Sequence, residues 1–343
     1  MKRLLNTLYV TTPEAWLSRE GETIRVEVNG EKRLQVPIHN LGSIVCFGQQ
    51  VLSAPLMELC TQRNVTLTFL SRSGRFMGRV HGPVSGNVLL RREQYRRADS
   101  VSGSLEIARS VVAAKVANAR GVLQRTLRER DEETMKTALS KAIRRLGEIL
   151  TDIPTAPDLD TLRGHEGEGA RVYFQVFDHL IFHEKEAFYF RERNRRPPLD
   201  NMNALLSFIY TLLTHDTVSA LEGVGLDPAV GYLHRERPGR PSLALDLIEE
   251  LRPPLADRLA LALVNRRQVK PSGFIKQESG AVWMDEDTRK EVLVAYQKRK
   301  QEEITHPFLG EKIAVGLLPH VQSLLLARHL RGDLEVYPPY FWK

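Results

Sequence analysis

Cysteine and long apolar runs are scarce in this sequence. The 343 residues include two cysteines, Cys46 and Cys60, which are too few for a disulfide framework or a cysteine-based zinc site and fit a reducing compartment. No segment approaches the roughly 18 consecutive apolar residues that a membrane-spanning helix needs. The basic start, Met1–Arg3, precedes a stretch that polar residues interrupt and that lacks a signal-peptide cleavage site. These features predict a soluble, cytoplasmic protein with no membrane segment.

Glycine-rich phosphate-binding motifs, internal repeats and low-complexity tracts are also absent, which gives a nucleotide cofactor little support. Apolar residues make up 42% and charged residues 27%, values close to the globular average that argue against global disorder. The length suggests about two domains of roughly 150 residues each. Lysine and arginine number 49 against 42 aspartate and glutamate, a formal net charge of +7. This moderate excess favours a polyanionic partner.

The first ninety residues carry the patterns of β-strands. Apolar and polar residues alternate in 24–28 and again in 34–38, and Asn29-Gly30 lies between the two runs. Such a pair is typical of a tight hairpin, because both central residues of the turn need positive φ. Further β-rich runs are 4–11, 65–70 and 75–80, and a short helix is predicted at 54–60. Residues 1–90 are therefore predicted to form a small β domain similar to a β-sandwich.

Helical periodicity dominates after residue 104. Ile107, Val111, Val112 and Val116 recur at helical spacing, and proline-rich breaks separate the later segments. The predicted helices are 105–130, 133–152, 166–182, 201–220, 242–265, 287–303 and 310–332, with a short hairpin arm at 280–283. The predicted fold class is α+β, with a small N-terminal β-sheet domain (1–90), a linker (91–104) and a larger all-α-helical domain (105–343).

The first candidate catalytic residue is Glu166. At about 100° per residue, Glu166, Ala170, Tyr173 and Phe177 share one stripe of a predicted helix. A carboxylate at the head of a small and aromatic stripe points inward. Burying it alone costs several kcal/mol, so it needs a metal or a cation as partner. The alternative is an ordinary acidic residue in a first helical turn, which the helix dipole favours.

A second candidate site lies in a Gly- and Pro-rich loop and in the helix that follows it. The loop carries His234, and the helix carries a contiguous acidic arc formed by Ser242, Asp246, Glu249 and Glu250. Carboxylates three or four positions apart are neighbours and repel mildly, so the alternative is an ordinary exposed helix face. One inward glutamate, one loop histidine and a carboxylate cluster together suit Mg²⁺ or Mn²⁺ better than zinc.

Basic residues cluster at two places, where arginine forks could bind phosphates and aromatic rings could stack on bases. The alternative for both clusters is solvated charge at a domain edge. The first cluster surrounds Tyr95 and comprises Arg91, Arg92, Arg96 and Arg97, and the second comprises Arg191, Arg193, Arg195 and Arg196. The dipeptide His215-Asp216 resembles part of a phosphohydrolase motif, but no second histidine pair supports it. It is therefore predicted to lie on a helix surface.

Four segments of the sequence together match the pattern of one known family. These segments are Leu162–Phe174, Arg196–Tyr210, Gly231–His234 and Ser242–Pro253. Over nearly its whole length the sequence resembles the CRISPR adaptation integrase, CRISPR-associated protein one, of a type I-C-like system. The resemblance implies an N-terminal β domain for dimerisation and scaffolding and a helical catalytic domain. It also implies a homodimer that joins CRISPR-associated protein two, in a heterohexamer-like complex, for spacer capture and integration.

The resemblance also implies a set of site residues. The metal-ligand glutamate of the family matches Glu166, its ligand histidine matches His234, and its acidic third ligand matches Glu249. Asp246, one turn earlier, matches a second acidic position of the same site, and whether it coordinates the metal directly stays open. Mg²⁺ or Mn²⁺ is the implied cofactor. Arg240 is expected to contact DNA together with the second arginine cluster.

The expected activity is that of a metal-dependent DNA endonuclease and integrase. The 3′-hydroxyl of a captured double-stranded fragment would attack a phosphodiester of the CRISPR repeat, and water in that role would give nuclease activity. Two other classes stay open. A purely structural DNA-binding subunit would not need Glu166 and His234 in one site. A metal-dependent phosphodiesterase of another, small substrate would not need the arginine clusters.

Overall fold

The computed structural model describes residues 5–72, 74–80, 82 and 88–342. Leu4, the first residue of the earliest predicted strand, and 83–87, near the end of the predicted β domain, lie outside these residues. In the described part of the chain, N-terminal strands are followed by a mostly helical region. The predicted α+β class is therefore confirmed.

Among the described residues, the N-terminal region contains two four-stranded sheets and one α-helix. Its elements are β1 (Asn6–Val10), β2 (Trp16–Glu20), β3 (Thr23–Val28), β4 (Glu31–Pro37), β5 (Leu41–Phe47), β6 (Val51–Leu52), α1 (Ala54–Gln62), β7 (Thr66–Leu70) and β8 (Phe76–Val80). One sheet has the order β1-β5-β7-β8 and the other β4-β3-β2-β6. Leu17 and Ile24 from one sheet and Ile44 and Leu67 from the other are buried in a shared core, as in a β-sandwich.

The predicted hairpin turn joins β3 to β4. Asn29 and Gly30 both have positive φ, 53° and 78°, and the strands pair antiparallel from Val28 with Glu31 onwards. Two consecutive left-handed residues are the reason for asparagine and glycine at these positions. The short helix predicted at 54–60 is α1.

The C-terminal region is mostly, and not entirely, helical. Its described helices are α2 (Val88–Asp99), α3 (Val101–Glu129), α4 (Glu133–Asp152), α5 (Leu159–Gln175), α6 (Asn201–Val224), α7 (Ser242–Leu251), α8 (Arg258–Asn265), α9 (Glu286–Gln301) and α10 (Leu318–Leu330). Two small hairpins pair β9 (Phe274–Lys276) with β10 (Val282–Met284) and β11 (Glu303–Thr305) with β12 (Lys312–Ala314). The first includes most of the predicted arm at 280–283. The second shortens the helix predicted at 310–332, because 312–314 are strand residues.

The segment predicted as a linker, 91–104, is helical. It consists of most of α2 and the first turn of α3, separated at Ser100. Gln94 is fully buried and ties α2 to a later loop, because its amide donates to the carbonyls of Asp227 and Val230 at 2.7 and 2.9 Å. A buried amide with backbone partners makes this segment part of the folded helical region.

Helix α5 begins seven residues earlier than predicted. Asp158 caps it, since its carboxylate accepts a hydrogen bond from the backbone N–H of Thr161 at 2.7 Å. Glu166 therefore lies in the middle of the helix and not in its first turn. The helix-dipole explanation for this glutamate does not apply, because that effect falls off within the first turn.

The helix predicted at 242–265 is divided into α7 and α8. A π-helical turn, Arg252–Asp257, connects them and contains Pro253 and Pro254. Prolines lack the backbone N–H that an α-helix needs, so the regular pattern cannot continue through them. π-Helical turns frequently occur at functional sites, and this one borders the cleft described below.

Helix α6 is the one described helix that is long and apolar enough to cross a membrane. In its most apolar stretch 61% of the residues are buried inside the protein. This burial is typical of the core helix of a soluble protein.

Helix α3 is the centre of the helical region and packs against α4, α5 and α7. Gly169 of α5 allows the close approach of the two helices, because a Cβ at this position would lie 3.0 Å from Cγ2 of Val116. At the edge of this interface the close approach brings Lys115 of α3 into contact with Glu166 of α5.

The C-terminal segment binds to α3 and α7 together. Glu250 of α7 accepts hydrogen bonds from the Tyr337 hydroxyl and from the backbone N–H of Tyr340, both at 2.5 Å. Asn118 of α3 donates to the carbonyls of Glu250 and Tyr340 at 2.7 and 2.8 Å, and it accepts from the backbone N–H of Trp342 at 2.8 Å. These bonds fix α7 against α3.

We expect the Glu250 carboxyl to make the stability of the protein depend on pH. Burial raises its pKa from 4.5 to about 7, although Tyr337, Tyr340 and Gln322 partly oppose this. The folded state therefore takes up a proton more readily than the unfolded state. The resulting contribution of Glu250 to the free energy of unfolding is fully present below about pH 4.5 and is lost as pH rises through about 7. In Glu250→Gln this dependence is removed, so the wild-type advantage in unfolding free energy should fall by about 2–3 kcal/mol between pH 5 and 8.

Urea denaturation of both proteins across this pH range measures the difference. Glu58→Gln, at an exposed position of α1, is the matched control and should run parallel to wild type. A constant offset between wild type and Glu250→Gln at every pH would contradict the assignment.

Candidate active site

A cleft of about 490 Å³ opens beside α3, α5, α6 and α7. The loop after α5 and the loop before α7 complete its wall. Its lining combines carboxylates, an imidazole, an ammonium and several guanidinium groups. The charged and polar residues that line it include Lys115, Glu166, Arg171, Arg191, Arg193, Arg195, Tyr210, His234, Arg240, Glu249, Arg252 and Asp257.

Lys115 lies between two of the predicted site residues. Its ammonium pairs with the carboxylate of Glu166 and with that of Glu249, the latter at 2.6 Å between Nζ and Oε2. The side chain of Lys115 is 13% exposed and that of Glu249 is 2% exposed. Burial disfavours the charged lysine, but the carboxylates of Glu249 and Glu166 outweigh it and raise the pKa of Lys115. A positive charge therefore occupies the point where α3, α5 and α7 meet.

Glu249 is a buried carboxylate that three basic side chains surround. Arg252 pairs with its Oε1, Lys115 pairs with its Oε2, and Nε2 of His234 lies 3.8 Å from Oε1. Burial alone would raise the pKa of Glu249, but Arg252 and Lys115 hold it well below its usual range. Its Oε2 contacts Nζ of Lys115 but accepts no hydrogen bond of regular geometry.

Asp246 holds the histidine loop in place. Its carboxylate accepts hydrogen bonds from the backbone N–H groups of Tyr232, Leu233 and His234 at 2.6, 3.0 and 2.9 Å. Its Oδ1 also lies 2.7 Å from Nδ1 of His234. When Nδ1 carries the proton and donates it to Asp246, Nε2 presents its lone pair on the side of Glu249.

Gly231 makes this loop geometry possible. A Cβ at this position would lie 2.7 Å from Oδ2 of Asp246 and 2.8 Å from the carbonyl carbon of Ser242. Real Cβ atoms do not approach other atoms so closely. The loop backbone therefore lies nearer to the first turn of α7 than any side chain would allow.

The structure places the three predicted ligands in one cleft. Glu166 lines the cleft with His234 and Glu249, and 26% of its side chain is exposed. The acidic arc of α7 is not solvated, since Asp246, Glu249 and Glu250 are each at most 1% exposed. The histidine loop, α3 and the C-terminal segment surround the helix and supply hydrogen-bond donors to it. The alternative interpretation as an exposed acidic face is therefore wrong.

Several cleft residues were not predicted from the sequence. They include Lys115, Arg171, Arg252 and the pair formed by Tyr210 and Asp257. The Tyr210 hydroxyl donates to Oδ1 of Asp257 at 2.5 Å, and burial raises the pKa of Asp257 to about 6. One signal was available, because Lys115 interrupts an otherwise apolar helix face. It is the same kind of signal that identified Glu166.

The predicted DNA-binding arginines divide into two groups. Arg191, Arg195 and Arg240 line the cleft, and the first two are exposed. Arg196 is also exposed but does not line the cleft. Arg171 joins the cleft arginines from the exposed face of α5. Exposed guanidinium groups at the edge of an acidic centre are suited to contact a phosphate backbone.

Arg193 is held by side chains of α6. Its guanidinium donates to Oδ1 of Asn203 at 2.6 Å and to Oγ of Ser207 at 3.1 Å, and it lies 5.3 Å from the ring of Tyr210. These contacts anchor the 191–196 loop to α6. Arg193 therefore orients the neighbouring arginines.

The first arginine cluster is partly used for packing. The hydroxyl of Tyr95 donates to Asp227 at 2.9 Å, and Arg97 pairs with Glu93 and Glu106 at 3.4 and 3.5 Å. Tyr95 is therefore held by a carboxylate of the helical region. This cluster does not line the cleft.

The dipeptide His215-Asp216 is not on a free helix surface, so that prediction is wrong. Asp216 accepts a hydrogen bond from the Tyr296 hydroxyl at 2.8 Å and pairs with Lys300 at 2.8 Å. The ring of His215 lies 5.2 Å from that of Phe76, and burial lowers the pKa of His215 to about 4. The dipeptide joins α6 to α9 and to the N-terminal region.

Comparison with known proteins identifies the family. The family model described as CRISPR associated protein Cas1 matches residues 8–298. CRISPR-associated endonuclease Cas1 1 of Chlorobaculum tepidum is 51% identical over 343 residues, with 100% of each chain covered. The chain belongs to the Cas1 family of CRISPR-associated endonucleases. The family predicted from the four sequence segments is confirmed.

Solved structures share the Cas1 fold over nearly the whole chain. A CAS1 protein from Thermotoga maritima is similar with a TM-score of 0.80 and 25% identity, covering 96% of this chain and 97% of that one. A casposase bound to integration product is similar with a TM-score of 0.83 and 20% identity, covering 99% and 95%. The second likeness is one of fold alone.

The donor groups of this Cas1 site fit the divalent ion that the resemblance implies. Carboxylate oxygens and one imidazole suit Mg²⁺ or Mn²⁺, and Glu166, Glu249 and Nε2 of His234 can supply them. Within residues 5–72, 74–80, 82 and 88–342, no three acidic, histidine or cysteine side chains form a metal-binding group. Lys115 lies between the two carboxylates, at a position that is already stabilised for a cation.

Gly231→Ala tests the geometry of this site. The added methyl would displace Asp246 or the histidine loop, so we expect the unfolding free energy to fall by about 1–3 kcal/mol. The Nδ1 proton of His234 should lose the NMR shift of a carboxylate hydrogen bond. Gly164→Ala on α5 is the matched control, because a Cβ there meets no atom within 4 Å. A wild-type His234 spectrum in Gly231→Ala would contradict this account.

Proposed function

We propose that this Cas1 protein is a divalent-metal-dependent DNA endonuclease and integrase of CRISPR adaptation. The observation that carries the proposal is that Glu166, His234 and Glu249 line one cleft together with exposed arginines. A 3′-hydroxyl of a captured double-stranded fragment would attack a phosphodiester of the CRISPR repeat. Water in the same position would cleave DNA.

Glu166, Glu249 and Nε2 of His234 are proposed to hold Mg²⁺ or Mn²⁺. Such an ion, when bound, offsets charge that develops on the phosphoryl and leaving oxygens. Neighbouring side chains keep one of the proposed ligands in the anionic form that binds a metal ion. Arg252 and Lys115 keep the carboxylate of Glu249 ionised despite its burial. This leaves an anionic oxygen in a nearly dry position, where charge interactions are strong.

Asp246 is proposed to be a positioning residue and not a metal ligand. Both of its oxygens already accept hydrogen bonds from the loop and from Nδ1 of His234. A ligand histidine whose other nitrogen is held by a carboxylate has a fixed ring orientation and a fixed tautomer. This arrangement supports a ligand role for His234 through Nε2.

Four cleft arginines are proposed to bind the DNA backbone. Arg171, Arg191, Arg195 and Arg240 border the carboxylate centre, so phosphates that they bind would be guided toward it. Contacts of this kind position DNA without reading its sequence. They also make the affinity depend steeply on salt.

The remaining partners are proposals that rest on the resemblance. They are a homodimer in which residues 1–90 contribute scaffolding, and a heterohexamer-like complex with CRISPR-associated protein two in the cytoplasm. The solved casposase is bound to an integration product, which supports strand transfer as a reaction of this fold. The type I-C-like assignment stays a prediction.

Removing a proposed ligand tests the activity. Glu166→Ala or His234→Ala should lower metal-dependent strand transfer into branched DNA roughly 100-fold or more, because the ion loses a ligand that holds it against the phosphate. Circular dichroism and the Tm should show that the fold is intact. The assay is run with purified protein and Mn²⁺ or Mg²⁺, with and without chelator.

Glu168→Ala is the matched control for Glu166. It lies two residues further along α5, pairs with Arg145 at 2.7 Å and does not line the cleft. Its strand transfer should stay close to wild type. Full strand transfer by Glu166→Ala, or activity that chelator leaves unchanged, would refute the proposed site and favour a structural DNA-binding subunit.

The arginine proposal predicts a change in salt dependence. In the double variant Arg191→Ala/Arg195→Ala, duplex affinity should fall for every sequence, and the slope of log K against log salt should decrease by about 2. Arg33→Ala, at an exposed position on β4, is the control and should not change the slope. Turnover of a small phosphodiester that survives high salt, with DNA affinity unchanged in the double variant, would instead indicate a small-substrate phosphodiesterase.

A further inference from the structure

We propose that Lys115 is an internal counter-ion that competes with the divalent ion for Glu166 and Glu249 and is released to a DNA phosphate when that ion binds. The inference rests on the proposed function, because it assigns a role to a residue within the same site. It makes metal binding and DNA binding mutually dependent.

The ammonium of Lys115 lies between the two glutamates that are proposed to hold the metal. One nitrogen, Nζ of Lys115, contacts both glutamates that are proposed to hold the metal. An ammonium in this position and a divalent ion bound by the same oxygens would repel each other at short range. Metal binding to the two carboxylates therefore requires Lys115 to move.

The charges of the side chains around Lys115 do not cancel. With the imidazole of His234 left out of the count, three carboxylates, those of Glu166, Asp246 and Glu249, face two cations, Lys115 and Arg252. Without metal the group has one net negative charge, and with a divalent ion it has one net positive charge. A single phosphodiester restores neutrality. The centre is thus balanced only when metal and DNA phosphate are present together.

Lys115 is the cation of the pair that can move. Arg252 lies in the π-helical turn with its guanidinium 4.8 Å from the ring of Tyr210, where packing restrains it. Lys115 carries its charge on a flexible four-carbon stem with three rotatable donors. Its stem starts in the wall of the cleft, so an ammonium released from the carboxylates stays within reach of a bound phosphate.

A coupling of this kind is reciprocal. If a phosphate draws the ammonium away from the carboxylates, DNA raises the affinity for metal by the same factor by which metal raises the affinity for DNA. Without DNA, Lys115 keeps the metal affinity low. The site would then bind its divalent ion mainly when a DNA backbone is also bound.

The affinity of the full-length protein for Mn²⁺ tests the competition. Electron paramagnetic resonance counts free Mn²⁺ with and without a short branched duplex. In Lys115→Met the Mn²⁺ affinity without DNA should rise about tenfold or more, and the enhancement by DNA should shrink. Lys300→Met is the matched control, because Lys300 is also a buried lysine in a carboxylate pair, with Asp216 at 2.8 Å, away from the cleft. It should bind Mn²⁺ as wild type does.

Each result decides a different claim. An Mn²⁺ affinity that is unchanged or weaker in Lys115→Met, with wild type still binding Mn²⁺, overturns the role of Lys115 and leaves the proposed function standing. If neither protein binds Mn²⁺ with or without DNA, both claims fall.

A second measurement uses the wild-type protein and does not depend on the folding of any variant. An amine-acylating reagent modifies lysines according to their accessibility, and peptide mass spectrometry reports each one. Addition of Mn²⁺ should increase the modification of Lys115 several-fold and leave Lys300 unchanged, and DNA added afterwards should protect Lys115 again. Modification of Lys115 that Mn²⁺ does not change, or lowers, overturns the inference.

Discussion

The contact of the Lys115 ammonium with Glu166 and Glu249 is the interaction on which the candidate site depends. Helices α3, α5 and α7 meet at this point. Two carboxylates roughly 4 Å apart would repel by about 4 kcal/mol at an effective dielectric constant of about 20. A cation between them turns the repulsion into attraction. The ammonium therefore helps the three helices to close around an acidic centre.

Helix α7 shows how buried carboxylates can organise a site. Glu249 and Glu250 are neighbours in the chain, yet Glu249 lines the cleft while Glu250 accepts hydrogen bonds from the C-terminal segment. Asp246, one turn earlier, accepts hydrogen bonds from the histidine loop. Each carboxylate has its own donors, so each fixes one neighbouring element. The hydrogen bonds of Asp246 and Glu250 thus favour one arrangement of the histidine loop and the C-terminal segment around α7.

Local patterns predicted much of this fold, because their causes lie within a few residues. The Asn29-Gly30 turn and the inward stripe of Glu166 are examples. The burial of Asp246 could not be predicted in this way, since an acidic arc on one helix is also what a solvated face looks like. The partners that bury it come from other segments of the chain. Lys115 was missed for the same reason, because its two glutamates lie 51 and 134 positions away.

The distribution of charge in the cleft explains what the small excess of basic residues does. Exposed arginines such as Arg191 and Arg195 border a centre that has three carboxylates against two cations. A DNA backbone would be attracted by the border and repelled by the centre, until additional positive charge reaches the centre. The net charge of +7 is therefore less informative than its arrangement. Under the proposed function, a basic border around an acidic centre would favour a polyanion that binds together with a divalent cation, a combination that phosphodiester chemistry can use.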